Sequence, residues 1–431
     1  MTTPATPTSA SSDGVVEIEY ARVSHRLMFS KRTNWPRQEN AYTRALHRHR
    51  GSGKPIIDLT VSNPTACGFQ YDEAGILAAL AAPAALRYDP QPKGLPQARA
   101  AVAQYYLQKT SDARLDLERL ILTTGTSEAY SFLFRLLCEP GDEVVIAQPS
   151  YPLLEFLAAI HDVKLSAFRL VYDHGWQIDF AALTKAMNSR TRAVILVHPN
   201  NPTGHFVSES EADELQKLCL EREIALVVDE VFFDYGIPIA DSRPKHGSFV
   251  FDAEALTFVV NGLSKTAGLP QMKVGWIAAA GPYPLVHEAV ARLEIIADTY
   301  LSLNAPVQHA LPTLLAQRGM MQPQIMRRIE ENLRKLDEQL KPQNLVSRLE
   351  FEGGWCVVLR VPAVQSDEEL AIHLLEDYCV LAHPGHFYDF ADDGYLVVCL
   401  LTPAEGFAEG IRRIIQCVDV SNQKGNLVAG K

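Results

Sequence analysis

The sequence predicts an α/β protein: a large domain with a mostly parallel sheet sandwiched by helices, followed by a smaller α+β domain. Three observations carry that expectation. Short runs rich in Val, Ile and Leu, at 143–147, 193–198, 224–228 and 257–261, alternate with helical stretches, the pattern of strands buried on both faces. Polar residues cluster just past the ends of three of these runs. Beyond residue 282 the texture changes to long helical patterns and short strands.

Taken in order, the chain opens on MTTPATPTSASSDG, rich in Thr, Pro and Ser, with neither a charged nor an apolar leader region. Residues 1–20 are therefore expected to be a disordered tail rather than a signal peptide, and 21–62 a segment packing with the small domain. Within it, HRHR at 47–50 closes a helical pattern before Gly51, where a helix end favours cations. The large domain is expected over 63–300. An apolar run, IIDLTV, precedes helices at 74–82 and 95–109. SEAYSFLFRLLC at 127–138 then leads through the turn Glu139-Pro140-Gly141-Asp142 into the strand EVVIA. A helix from Pro152, a strand at 163–170 and a helix at 208–222 complete the alternation. The small domain is expected over 301–431. Helices are read at 284–297, 304–317 and 322–340, strands in WCVVLRV and YLVVCLL, and a terminal helix from Pro403.

The 431 residues are 47% hydrophobic and 21% charged, an ordinary globular composition with room for a large core. A net charge of −11 lacks the basic field that nucleic-acid binding needs. The seven cysteines form no CxxC pair, so neither a disulfide framework nor a metal site is expected, and a reducing, cytoplasmic compartment fits. Runs such as RAVILVH are too short to span a bilayer, so no membrane role is expected.

The strand endings carry the chemistry. AVILVH runs into Pro199-Asn200-Asn201-Pro202-Thr203-Gly204, IALVV into Asp229-Glu230, and TFVVN into Gly262-Leu263-Ser264-Lys265. An amide, a carboxylate and a lysine thus stand just beyond the carboxyl ends of buried strands, where open α/β sheets bind ligands. NNPTG, VVDE and LSKTAGLPQMKVGW, in this order and at these separations, resemble the fold-type I pyridoxal 5′-phosphate (PLP) enzymes, specifically the class I/II aminotransferases. The resemblance covers roughly residues 55–415.

It implies a role for each residue. Lys265 would form the Schiff base, since the imine needs a primary amine. Asp229 would pair with the pyridine nitrogen, Asn201 would bond the 3′ oxygen, and Tyr151 would stack on the ring. Gly125, Thr126 and Ser127, opening a helix in LTTGTSEAYSF, would bind the phosphate through backbone N–H groups, with Ser264 and Lys273 adding a hydroxyl and a cation. Tyr88 would reach the phosphate of a neighbouring subunit, which implies a homodimer. The implied reaction is transfer of an amino group between a small-molecule amino donor and a keto acid, with Lys265 as the base of the proton shift.

The same cofactor would also serve a lyase, decarboxylase or cyclase acting on an amino acid or amine, because the bond that breaks depends on substrate orientation. A nicotinamide-dependent oxidoreductase is disfavoured, since TTGTSEAY has one glycine where the fingerprint needs three. A non-catalytic PLP-binding regulator would need a DNA-binding domain, for which the N-terminal segment has no room.

The chain departs from the family at several points. Lys273 stands where arginine is usual, and Phe232 where a tyrosine usually donates to the 3′ oxygen. Ser62-Asn63-Pro64 lacks a glycine that often precedes. Val397, in GYLVVCLL, occupies the place of the arginine that grips the substrate α-carboxylate. Either the substrate lacks an α-carboxylate, as an amine or amino alcohol would, or another basic residue replaces the arginine; Arg37, His383 and His386 are the candidates, with Arg37 preferred because a guanidinium offers a planar fork.

Overall fold

In the computed structural model, which describes residues 28–35, 37–109, 115–238 and 244–429, the apolar runs assemble into one eight-stranded sheet. Its order is Leu120–Thr123, Gly275–Ala280, Thr257–Gly262, Ala225–Asp229, Thr191–Val197, Glu143–Gln148, Lys164–Tyr172 and Trp176–Ile178. The five strands from Thr257–Gly262 to Lys164–Tyr172 run parallel. Gly275–Ala280 is antiparallel to both its neighbours, and Trp176–Ile178 closes the far edge antiparallel.

The period of two along a strand explains why these segments are apolar throughout. Val194, Leu196, Leu226 and Val228 enter one core cluster, with Val102 and Tyr106 of helix Pro96–Leu107 and Leu215 of helix Glu209–Glu221. Their alternates Ala193, Ile195, Ala225 and Val227 enter another, with Phe132 and Leu133 of helix Thr126–Leu137 and Val286 and Leu293 of helix Tyr283–Tyr300. Both faces are covered, so neither face of a central strand can be polar. The mostly parallel sheet flanked by helices is the architecture expected from the sequence.

Helix Ala305–Ala316 packs on helices Glu73–Leu80 and Pro96–Leu107. The physical reason is its apolar stripe: Val307, Ala310, Leu311 and Leu314 share the core of Leu122 and Trp276 from the large sheet.

A second, four-stranded antiparallel sheet follows, ordered Ser347–Arg348, Cys356–Arg360, Tyr395–Cys399 and His383–Pro384. Helices Arg318–Leu340, Asp367–Tyr378 and Ala404–Ala429 share one core cluster with Val357, Leu359, Leu396 and Val398 of this sheet. The middle one starts cleanly because Ser366 and Glu369 form a capping box. Helix Ala41–Gly51, capped by Asn40 and ending in Arg48, His49 and Arg50, lies against helix Asp367–Tyr378. Tyr42 donates its hydroxyl to the Ala382 carbonyl at 3.0 Å, and Arg48 pairs with Glu376 at 2.7 Å. The short strand Ile57–Asp58 adds parallel to Val380–Leu381. Residues 37–431 form one compact unit. In the separate unit ending at residue 36, a 3-10 turn, Lys31–Thr33, is capped by the Ser30 side chain. The tail expected over 1–20 lies outside the described residues.

Candidate active site

A cavity of about 370 Å³ opens at the carboxyl ends of the parallel strands. Each strand delivers a side chain to it by stopping where it does. Asp229 is the last residue of its strand, Lys265 follows Thr257–Gly262 in the short helix Leu263–Thr266, and Asn201 lies in the loop after Thr191–Val197. Thr126, Tyr151 and Ser264 line the same space. The second sheet closes the other side with Cys356, His383, Val397 and Cys399, beside Trp355 and Tyr388.

The carboxylate of Asp229 is buried and held from two directions. Tyr130 donates its hydroxyl to Oδ2 at 3.0 Å, and the Val231 N–H donates to Oδ1 at 3.1 Å. Burial still raises its pKa to about 6, against these bonds and the nearby Lys265. An acid with a raised folded-state pKa binds more protons folded than unfolded between about pH 4 and 6, so its contribution to stability declines as pH rises through that window. Asp229→Asn is therefore expected to make the cofactor-free protein more stable at pH 7, by up to about 3 kcal/mol, the worth of a two-unit shift. The gain should vanish at pH 4. Urea denaturation at both pH values checks this, and an equal gain at both would refute the desolvation argument.

Lys265 is the cavity's one lysine among the described residues, and it is half-buried. Its Nζ stands 4.7 Å from the Trp355 ring centroid and 5.6 Å from that of Phe232. Burial lowers its pKa, opposed by the neighbouring Cys399, Cys356 and Asp229. That environment favours the neutral amine, the nucleophilic form. The Asn201 side-chain oxygen is buried without a hydrogen-bond partner, an acceptor left for a ligand or, with the amide turned, a donor.

Of the remaining candidates, Gly125, Ser127, Lys273, Tyr88, Arg37 and His386 stand outside the cavity lining. Gly125, at φ +152°, caps helix Thr126–Leu137, and a Cβ there would lie 3.7 Å from Lys273 Nζ. The first N–H groups of a helix have no intrahelical acceptor, so the helix start at Gly125, Thr126 and Ser127 stands beside the Lys273 side chain with N–H groups left to donate. Gly275 backs it closely, since a Cβ there would lie 2.8 Å from the Gly125 carbonyl carbon. Tyr88 is 85% exposed and away from this cavity. Arg37, the preferred replacement for the missing guanidinium, is exposed and does not line the cavity, and His386 is exposed too. His383 does line it. Among the described residues, no group of three or more His, Cys, Asp or Glu side chains is placed to hold a metal ion.

Several lining residues escaped sequence reasoning. Tyr130 lies one helical turn after Thr126, so helix periodicity could have found it. Trp355 and the opposed pair Cys356 and Cys399 carried no such signal, because their strands read simply as apolar.

These residues fit pyridoxal 5′-phosphate: a half-buried amine whose pKa is lowered, a buried carboxylate lining the cavity, an unpartnered amide oxygen and a helix start with a lysine beside it. The comparisons agree. The family model described as "Aminotransferase class I and II" matches residues 55–414. A glutamate-pyruvate aminotransferase AlaA of Haemophilus influenzae is 26% identical over 362 residues, spanning 81% of this chain and 87% of that one. An alanine aminotransferase of Mycobacterium tuberculosis is 27% identical over 385 residues, 86% of this chain and 88% of its own. A solved alanine aminotransferase of Pyrococcus furiosus superposes with a TM-score of 0.81 at 23% identity, covering 91% of this chain and 99% of that one, a likeness of fold. The chain belongs to the class I and II aminotransferase family.

Proposed function

We propose that this aminotransferase binds pyridoxal 5′-phosphate through Lys265 and moves an amino group between a small-molecule amino donor and a keto acid, acting as a cytoplasmic homodimer. The carrying observation is the convergence of Lys265, Asp229 and Asn201 from neighbouring strand ends on one cavity. When bound, the cofactor supplies an electron-withdrawing ring that accepts the pair left as a substrate C–H proton departs. Asp229, anchored by Tyr130 and Val231, is the acceptor for a ring N–H. Lys265 Nζ, its pKa lowered by desolvation, would take the substrate proton and return it at another carbon. Asn201 and Tyr151 orient the ring, and the helix start at Gly125 with Ser264 and Lys273 holds the phosphate.

The purified protein should carry a visible absorption band that an amino donor alone depletes and a keto acid restores. A band indifferent to every donor would overturn the reading. Phe232 lines the cavity edge-on to Trp355, with ring centroids 5.4 Å apart. Phe232→Tyr adds a donor toward the chromophore's oxygen, so the pH midpoint of the visible band is expected to fall by about one unit, the scale of one charged hydrogen bond. A pH titration showing no change or a rise would count against it.

Support for a homodimer comes from Tyr88 and Leu86, which are 85% and 92% exposed, an apolar pair that a second copy would cover. Tyr88→Ala should weaken self-association and speed cofactor loss on dialysis, checked by sedimentation and the visible band. An unaltered dimer that keeps its cofactor would remove Tyr88 from that role. The cytoplasmic location rests on seven free cysteines, which fit a reducing compartment. Among the described residues no helix is long and apolar enough to cross a membrane.

A further inference from the structure

We propose that the amino donor carries no carboxylate on its reacting carbon and that His383 anchors an uncharged hydrogen-bonding group there, amino alcohols being the class that fits. The proposal rests on the aminotransferase reading above and narrows it.

Val397 is buried in strand Tyr395–Cys399, facing Val358 on one neighbouring strand and His383 on the other, and both Val397 and His383 line the cavity. Its isopropyl group offers a carboxylate nothing. Among the described residues the lining contains one lysine, Lys265, and no arginine, and that lysine is committed to the chemistry. A carboxylate taken out of water without a cation or several donors is strongly disfavoured.

His383 does not restore the missing charge. Burial holds its imidazole below the ordinary value, only partly opposed by Asp58, and Asp58 would itself repel an anion. The ring is therefore neutral near pH 7. The Nδ1 atom lies 3.1 Å from the Tyr388 hydroxyl, and among the described residues nothing bonds Nε2. A neutral imidazole with one nitrogen engaged offers a single bond, and a hydroxyl, both donor and acceptor, suits either tautomer.

In the net exchange the donor loses its C–H and C–N bonds and leaves as a hydroxyketone. Its nitrogen and two electrons pass to a carbonyl acceptor, whose oxygen balances the new ketone through water. The same wall meets the acceptor, so a keto acid enters well only when its carboxylate is not on the reacting carbon.

The test uses the cofactor-loaded enzyme and sets of amines differing in one group: alanine, alaninol and isopropylamine, with the same three groups on isobutyl and benzyl scaffolds. Single-turnover depletion of the visible band gives a specificity constant for each. On at least one scaffold the alcohol should exceed the amino acid by roughly tenfold or more, the scale set by one mismatched polar group. Val397→Arg should reverse that order. His383→Phe should lower the constant for the alcohol roughly tenfold, through weaker binding, and spare the plain amine. If Val397→Arg does not fold, the wild-type order and the histidine variant decide. Amino acids matching or beating the alcohols on every scaffold would overturn this inference alone, with amino transfer intact. No reaction from any donor would overturn it together with the aminotransferase reading.

Discussion

Lys265→Ala is expected to reduce amino transfer by at least roughly 10³-fold, within the range that a positioned base alone supplies, and to let the cofactor wash out. The side chain sits among Trp355, Phe232 and two cysteines, and its burial favours the uncharged amine. The fold should survive, because removing a desolvated amine relieves a cost rather than a contact. Lys265→Arg separates charge from chemistry: it keeps the cation, but a guanidinium does not lose its proton at accessible pH. Both variants should be equally inactive while unfolding as cooperatively as the wild type. Activity within tenfold of wild type in either one would remove Lys265 from the centre of the mechanism.

Asp229→Asn should act with opposite signs on the empty and the loaded protein. Without cofactor it relieves a buried charge. With cofactor it replaces the acceptor of the ring proton by a neutral amide, a loss on the scale of a charged hydrogen bond, about 1.5–3 kcal/mol in affinity. The effect on kcat should be larger, roughly 10²-fold or more, because the carboxylate matters most when the ring receives electrons. Tyr130→Phe is the graded control. It leaves the carboxylate but deletes the bond to Oδ2, and about 1 kcal/mol is expected. Cofactor titration followed by single-turnover rates distinguishes the two. An Asp229→Asn enzyme with wild-type affinity and rate would break the assignment.

The sheet was legible because a strand covered on both faces must be apolar at every position, and residues 193–197 and 225–228 are so. The order of NNPTG, VVDE and LSK was legible because each follows such a strand directly. The packing partners of helix Ala305–Ala316 were not legible, since an apolar stripe states that a helix is buried but not against what. Arg37 attracted attention for its chemistry, and the fold leaves it exposed.

By itself the sequence determined the fold class, the family resemblance and which side chains stand at the strand ends, because these depend on local periodicity and on residue type. Only the tertiary structure decided that Tyr130 holds Asp229, that Trp355 lies beside Lys265, and that His383 rather than Arg37 faces the wall at Val397. These are meetings between residues 14 to 99 positions apart in the chain. Local pattern carries no measure of such distances. They are set by a helix laid on the first sheet, by strand pairing within the second, and by the second sheet closing over the ends of the first.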